Sequence, residues 1–337
     1  MNKIKLGRSG VEAPQIGLGC MRIAGLSAAQ GEKLIRTAME NGINFFDHAD
    51  IYGGGECESF FAKVFPMNAD LREKVILQTK CGIRQGCFDF SKEHILASVD
   101  ASLARLKTEY VDFLLLHRPD TLMEPEEVAE AFCTLRKAGK IRYFGVSNQN
   151  PGQMALLNKY CGDAIQVNQL QFSVAHCPII DSGLNVNMGI PESVNRDGGV
   201  LEYCRLHGVT IQAWSPFQYG MFEGVYLGNT EKYAKLNEEL DRLAAKYDVS
   251  ASAIAVAWIS RHPAKIQTIV GTTNPEHLAQ ICASSSVTLT REEWYSLYLS
   301  AGKNSPDDLR TCGRQFAQRR ASPPSASQNT ESPFAAG

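Results

Sequence analysis

The sequence predicts an α/β fold, a single (β/α)8 barrel of the TIM type with an N-terminal β-hairpin and extra C-terminal helices. Three observations point there. Short apolar runs alternate with amphipathic stretches along most of the chain, the pattern of parallel strands separated by helices. The runs are near-continuously apolar, as strands covered on both faces are. Spacing alone leaves an open doubly wound sheet standing beside the barrel, but no G-x-G-x-x-G follows the first run, which counts against the open sheet.

The elements follow in order. Residues 3–13, with Gly7 and Gly10 in a turn, read as the hairpin. The first strand is expected at 15–18. A helix follows over 27–40, capped by Ser27, with Leu34, Ile35 and Ala38 on one face. The second and third strands fall at 43–47 and 75–79. A helix over 91–105 repeats the plan, with Ser91 as cap and Ile95, Val99 and Leu103 at helical spacing. The fourth strand, 111–116, is the most apolar. Helices at 125–137 and 151–159 open on Pro125 and Pro151, which suit a first helical turn, and the fifth strand at 141–147 lies between them. Strands at 164–168, 209–214 and 266–270 complete eight, with helices at 230–246, 250–260 and 275–282.

Two regions break the alternation. Residues 178–199 read as a long Gly/Asn/Pro-containing loop. Residues 304–337, rich in Ser, Pro, Gln and Ala, read as a disordered tail, which leaves the barrel domain at 1–303.

The net charge is −2 and the pI about 6.4, so nothing suggests a nucleic-acid footprint or a basic membrane face. Residues 1–6 carry no signal-peptide apolar run, and no uncharged apolar stretch reaches the length of a bilayer span, so a cytoplasmic location is expected. The ten cysteines form no CxxC pair, which argues against a zinc or redox motif. Cys81, next to Lys80, is the thiol most worth testing for sensitivity.

In such a barrel the polar residues where strands stop line the site. Asp47, Lys80, His117, the pair Ser147–Asn148 and Gln169 stand at such stops, and Tyr52 follows shortly after Asp47. Tyrosine titrates near ~10 and is a poor acid at neutral pH. A neighbouring ammonium favours the phenolate, so Lys80 is expected to lower the pKa of Tyr52, with Asp47 holding Lys80 charged. His117 can donate a hydrogen bond to a carbonyl oxygen, and Tyr52 can protonate it. Singly, each residue has a bland reading: a strand-end turn aspartate, a packed tyrosine, a surface lysine, a core histidine. Jointly, on consecutive strand stops, they make a proton-donating centre. Gly53, Gly54 and Gly55 lack the G-K-[ST] of a phosphate loop, and His48 and Asp50 have no third ligand in view, so no metal is expected.

Several segments carry a resemblance. Phe46-Asp47-His48-Ala49-Asp50-Ile51-Tyr52-Gly53, Leu114-Leu115-Leu116-His117-Arg118-Pro119-Asp120 and Gly139-Lys140-Ile141-Arg142-Tyr143-Phe144-Gly145-Val146-Ser147-Asn148 resemble, in order, motifs of the aldo-keto reductase family, and in particular of its bacterial oxidoreductases. The resemblance runs from about Lys5 to about Ala301. It implies a catalytic tetrad of Asp47, Tyr52, Lys80 and His117. It implies that Ser147, Asn148 and Gln169 hold a nicotinamide carboxamide, that Trp214 stacks on the ring, and that Ser215 meets the pyrophosphate. Gly271, Thr272, Thr273 and His277 would then meet the adenosine 2′-phosphate, near a helix N-terminus. Many relatives place a lysine at the position of Gly271 and an arginine at that of His277. Without those cations NADP(H) is the expected cofactor and NAD(H) is admitted beside it.

The function expected is reduction of aldehydes or ketones, with a small carbonyl compound as partner and the chain acting as a monomer or homodimer. A nucleotide-sensing module, like the potassium-channel β subunits that resemble this family, is the alternative. A metal-dependent hydrolase would need clustered His and Asp at strand ends, which the Lys80 and Tyr52 pattern does not supply.

Overall fold

The computed structural model describes residues 1–221 and 223–304, so the tail read as disordered lies, except for Asn304, outside the described residues. Eight parallel strands close into a barrel in chain order: β1 Ile16–Gly19, β2 Phe45–Asp47, β3 Ile76–Cys81, β4 Val111–Leu116, β5 Ile141–Ser147, β6 Ile165–Gln171, β7 Thr210–Trp214 and β8 Gln267–Val270. β8 pairs with β1, Val270 opposite Leu18, and no edge is left. Closure is the barrel alternative rather than the open sheet.

The hairpin of Lys3–Lys5 and Glu12–Pro14 precedes it, with Gly7 and Gly10 both at positive φ in its turn. It plugs the N-terminal end. Ile4, Leu6 and Ala13 form one cluster with Phe45, Ile76, Phe113, Leu115, Val167 and Ile269 from the barrel interior. A larger core lies between the strands' outer faces and the helices, and includes Leu34, Phe61, Val99, Leu135, Leu157, Leu240 and Trp258. Two of the expected caps form, Ser27 to the Gln30 amide and Ser91 to the His94 amide.

The segment at 178–199 is not simply a loop. It holds a helix, Pro178–Leu184, and a 3-10 turn, Pro191–Ser193. Distant groups hold that helix in place: Tyr298 Oη and Lys303 Nζ each donate to Asp181, both at 2.9 Å. Three further helices, Glu56–Val64, Ala69–Lys74 and Val200–His207, had no counterpart among the sequence expectations, and a small hairpin pairs Ile83–Arg84 with Cys87–Phe88. Beyond β8 come Pro275–Cys282 and Arg291–Ser300, the extra C-terminal helices. Among the described residues, no helix is long and apolar enough to cross a membrane.

Candidate active site

The C-terminal ends of the strands converge on one side of the barrel. Asp47 ends β2, Lys80 is next to last in β3, and His117 follows β4. Side chains alternate along a strand, so Gln78 and Lys80 share the interior face of β3. Thr79, pointing the other way, donates to buried Glu58 at 2.6 Å. Tyr52 opens a 3-10 turn, Tyr52–Gly55, in which Gly53, Gly54 and Gly55 all have positive φ. A Cβ on Gly55 would also meet the Arg105 side chain at 2.9 Å. The glycines are therefore an ordered turn that leads into Glu56–Val64 and returns Tyr52 to the barrel mouth.

Lys80 is fully buried, and its Nζ donates to Asp47 Oδ2 at 2.8 Å, to the His48 carbonyl at 2.8 Å and to Tyr52 Oη at 3.1 Å. An ammonium has three hydrogens, and these three acceptors occupy them. Burial works against the charge, but Asp47 and Tyr52 outweigh it and the pKa of Lys80 is raised. Tyr52 accepts from Lys80, so its own hydroxyl hydrogen is left to donate elsewhere. The His117 ring stands edge-on to Tyr52, centroids 5.9 Å apart. Burial, then Lys80 and Arg118, lower the His117 pKa to about 2, so the imidazole is neutral and carries one N–H to donate.

One expectation is overturned here. Lys80 does pull the Tyr52 pKa down, but burial is the larger effect and the net direction is up. Asp47 offsets much of the ammonium's charge and itself favours the neutral phenol. Cys81, the thiol singled out for a sensitivity test, is buried and desolvation pushes its thiol well up, the environment of an inert cysteine.

The residues expected at the cofactor divide into three groups. Asn148 Nδ2 donates to Ser147 Oγ at 2.7 Å and Trp214 Nε1 to Asn148 Oδ1 at 3.2 Å, so these three form one fixed wall. Asn148 and Ser215, just past the ends of β5 and β7, hold φ of 57° and 50°, left-handed conformations that non-glycine residues adopt at a cost. Gln169 sits differently from the expectation. β6 runs on to Gln171, so Gln169 lies inside the strand, and its Nε2 donates into the barrel, to Asp47 Oδ1 at 3.1 Å and Gln212 Oε1 at 3.2 Å.

Gly271, Thr272 and Thr273 lie on the loop after β8, while His277 is exposed on the helix behind it. Asn274 Oδ1 accepts from the amides of Glu276 at 2.8 Å and His277 at 3.4 Å, so that helix start is already capped. A cation does stand at this loop: Arg22, from the loop after β1, donates through Nη2 to the Gly271 carbonyl. Its distance in sequence from Gly271 hid that contact. The half-buried Arg118 guanidinium lies 5.8 Å from the centre of the Trp214 ring, with Met221 Sδ at 3.8 Å from Nη2. His48 is buried with neither ring nitrogen partnered, and burial lowers its pKa to about 3. Among the described residues no cluster of three His, Cys, Asp or Glu comes together as a metal site.

The profile of the Aldo/keto reductase family matches residues 15–298, which is most of the chain and all eight strands. The chain belongs to that family. A 6-dehydroglucose reductase of Agrobacterium fabrum (strain C58 / ATCC 33970) is 34% identical over 308 residues, covering 87% of this chain and 96% of the relative. Oxidoreductase YdhF of Escherichia coli (strain K12) is 30% identical over 312 residues, covering 89% and 98%. Among solved structures, the thermostable aldo-keto reductase Tm1743, crystallised with the inhibitor epalrestat, superposes with a TM-score of 0.71 at 25% identity, covering 89% of this chain and 100% of that one. This aldo/keto reductase therefore shares its barrel, and most of its length, with oxidoreductases.

Proposed function

We propose that this chain is an NAD(P)H-dependent reductase of aldehydes and ketones, with NADPH the preferred donor and Tyr52 the proton donor. The carrying observation is the hydrogen-bond polarity at Lys80: all three ammonium hydrogens are committed, one of them to Tyr52 Oη, so the phenolic O–H is the free donor of the cluster. A tyrosine is protonated at neutral pH whether or not it is buried; burial raises its pKa further, and the Lys80 ammonium at 3.1 Å works the other way by stabilising the phenolate left as the proton goes to a developing alkoxide.

The strand ends fit a nicotinamide cofactor. Ser147, Asn148 and Trp214 form a polar and aromatic wall at the C-terminal ends of β5 and β7, and Gln171, paired in register with Trp214, buries an Nε2 without a partner. Ser147, Asn148 and Gln169 would hold the carboxamide, Trp214 and Ser215 would meet the ring and pyrophosphate, and Gly271, Thr272, Thr273 and His277, with Arg22, would surround the adenosine phosphate. Bound there, a dihydronicotinamide supplies the hydride. Neutral His117 donates its N–H to the substrate oxygen and fixes its direction. Tyr52 gives its proton to that oxygen as the C–O bond becomes an alkoxide. Lys80 then stabilises the phenolate, and Asp47 keeps Lys80 in place.

The test is NADPH absorbance against a panel of aldehydes and ketones, with NADH in parallel. The likeness to a 6-dehydroglucose reductase supports including a small polyhydroxy aldehyde. Carbonyl-dependent NADPH oxidation is the expected result. Its absence across the panel, with NADPH shown to bind, would leave a nucleotide-binding module in its place.

A further inference from the structure

Next to Asp47 a group of buried amides interrupts the apolar packing of the barrel interior, and neither the sequence motifs nor the proton-transfer scheme explains why. Gln78 from β3, Gln212 from β7 and Gln267 from β8 are all fully buried. Gln267 Nε2 donates to the Pro14 carbonyl of the N-terminal hairpin at 2.8 Å. Gln212 Nε2 donates to Gln267 Oε1 at 2.8 Å and to Gln78 Oε1 at 3.1 Å. Gln78 Nε2 donates to Gln212 Oε1 at 2.9 Å and to Asp47 Oδ1 at 2.7 Å. Gln169 Nε2 joins the same two acceptors, Asp47 Oδ1 and Gln212 Oε1.

The direction of this chain is fixed at both ends. A backbone carbonyl and an ionised carboxylate are pure acceptors, so the amide at each end must present its NH2 outward to them. Gln267 then presents its oxygen to Gln212, and Gln212 and Gln78 exchange reciprocal bonds. Turning any one amide over would set donor against donor or acceptor against acceptor in a buried site, where an unpaired polar atom is costly. The consequence falls on Asp47: Oδ1 is held by two amide donors and Oδ2 is left for Lys80.

We propose that Gln78 and Gln212 are positioning residues for carbonyl reduction, an amide chain anchored on the Pro14 carbonyl that fixes the rotation of the Asp47 carboxylate and, through it, the Lys80 ammonium under Tyr52. The role rests on the reductase reading above. Gln169 is the junction at which the chain reaches the nicotinamide side of the site.

The decisive variant is Gln212→Met, which touches Gln78 and Gln169 but makes no hydrogen bond to Asp47. Thr268→Val is the matched control: Thr268 is equally buried, neighbours Gln267 in sequence, and makes no hydrogen bond through its hydroxyl. Two measurements are made on folded protein. In the first, kcat of Gln212→Met is expected to fall about tenfold, with carbonyl KM and NADPH Kd within about twofold, and the loss is expected to vanish in an Asp47→Asn background, as coupled neighbours require. In the second, cofactor-free protein is labelled with 13C at tyrosine Cζ, and Tyr52 is assigned by its loss in Tyr52→Phe. The Tyr52 titration is expected to move in Gln212→Met and to stay in Thr268→Val. Additive losses in the cycle, or a Tyr52 titration that moves in neither variant, would overturn the proposal. The titration needs no turnover, so a failed carbonyl panel does not disguise its outcome. Gln78→Met repeats both measurements if Gln212→Met does not fold.

Discussion

Replacing Lys80 by Met removes a buried ammonium while keeping most of its aliphatic stem. The ammonium serves Asp47, the His48 carbonyl and Tyr52, and both partners of the ion pair are almost completely inaccessible, at 0% and 4% side-chain exposure. Removing one partner of a buried pair costs about 3–5 kcal/mol because the other charge is stranded. Asp47 keeps two neutral donors, Gln78 at 2.7 Å and Gln169 at 3.1 Å, which places the expected loss near the lower end, about 3 kcal/mol. Urea unfolding at pH 7, followed by intrinsic fluorescence, should show the midpoint falling with an unchanged slope. Turnover should fall by about 10²-fold or more, since the Tyr52 phenolate loses the ammonium that donates to its oxygen. A Lys80→Met protein as stable as the parent, or one that retains its turnover, would refute the reasoning about this ion pair.

Four other outcomes follow from the same geometry. Because His117 is neutral and shifted far from 6.5, kcat for reduction in an Asp50→Asn background, which removes the carboxyl that titrates near 7, should show no transition between pH 6 and 8, and a step near 6.5 in that background would contradict its role as a neutral donor. Burial and the neighbouring Glu58 raise the Asp50 pKa to about 7, so the folded state keeps a proton that the unfolded state releases from about pH 3.8 upward. Stability from this group is present below pH 3.8 and lost by pH 7, at most about 4 kcal/mol, so Asp50→Asn should raise Tm at pH 8 and hardly at pH 3.5; equal shifts at both would count against it. The NADPH preference should be modest, within about a hundredfold in kcat/KM, and Arg22→Ala should weaken NADPH binding more than NADH binding in a fluorescence titration; equal weakening would remove Arg22 from the phosphate site. Finally, a thiol reagent should modify exposed Cys87 and Cys133 before buried Cys81, and rapid loss of activity tracking Cys81 would be the contrary result.

The barrel was legible because its strands are near-continuously apolar runs separated by helical periodicity, and closure followed from the missing glycine fingerprint. The gathering of Asp47, Tyr52, Lys80 and His117 was legible because polar residues at the ends of apolar strands stand out. Helix Glu56–Val64 was hidden because three successive glycines, Gly53, Gly54 and Gly55, stand directly before it and carry no helical pattern of their own. Helix Pro178–Leu184 escaped because tertiary contacts from Tyr298 and Lys303 hold it. Gln169 was misplaced because β6 continues past it. Its polar end, Gln169 to Gln171, looks like a strand stop, although Gln169 packs inward against Gln212. A signal for the amide chain does exist in retrospect: Gln78, Gln212 and Gln267 are uncharged amides within strands of the barrel, each fully buried. Met21 and Arg22 are expected at the pocket rim from the loop after the first strand, but the contact of Arg22 with Gly271 was not legible, since that partner lies at the far end of the chain.

Tyr52→Phe tests the central claim most directly, because it deletes one hydroxyl and keeps the ring edge-on to His117. NADPH oxidation with a carbonyl substrate is compared with the parent, and NADPH binding is titrated in the same protein. Turnover lost with binding nearly intact is the expected result. A Tyr52→Phe protein that reduces the substrate at the parent's rate would contradict the assignment of Tyr52 as the proton donor.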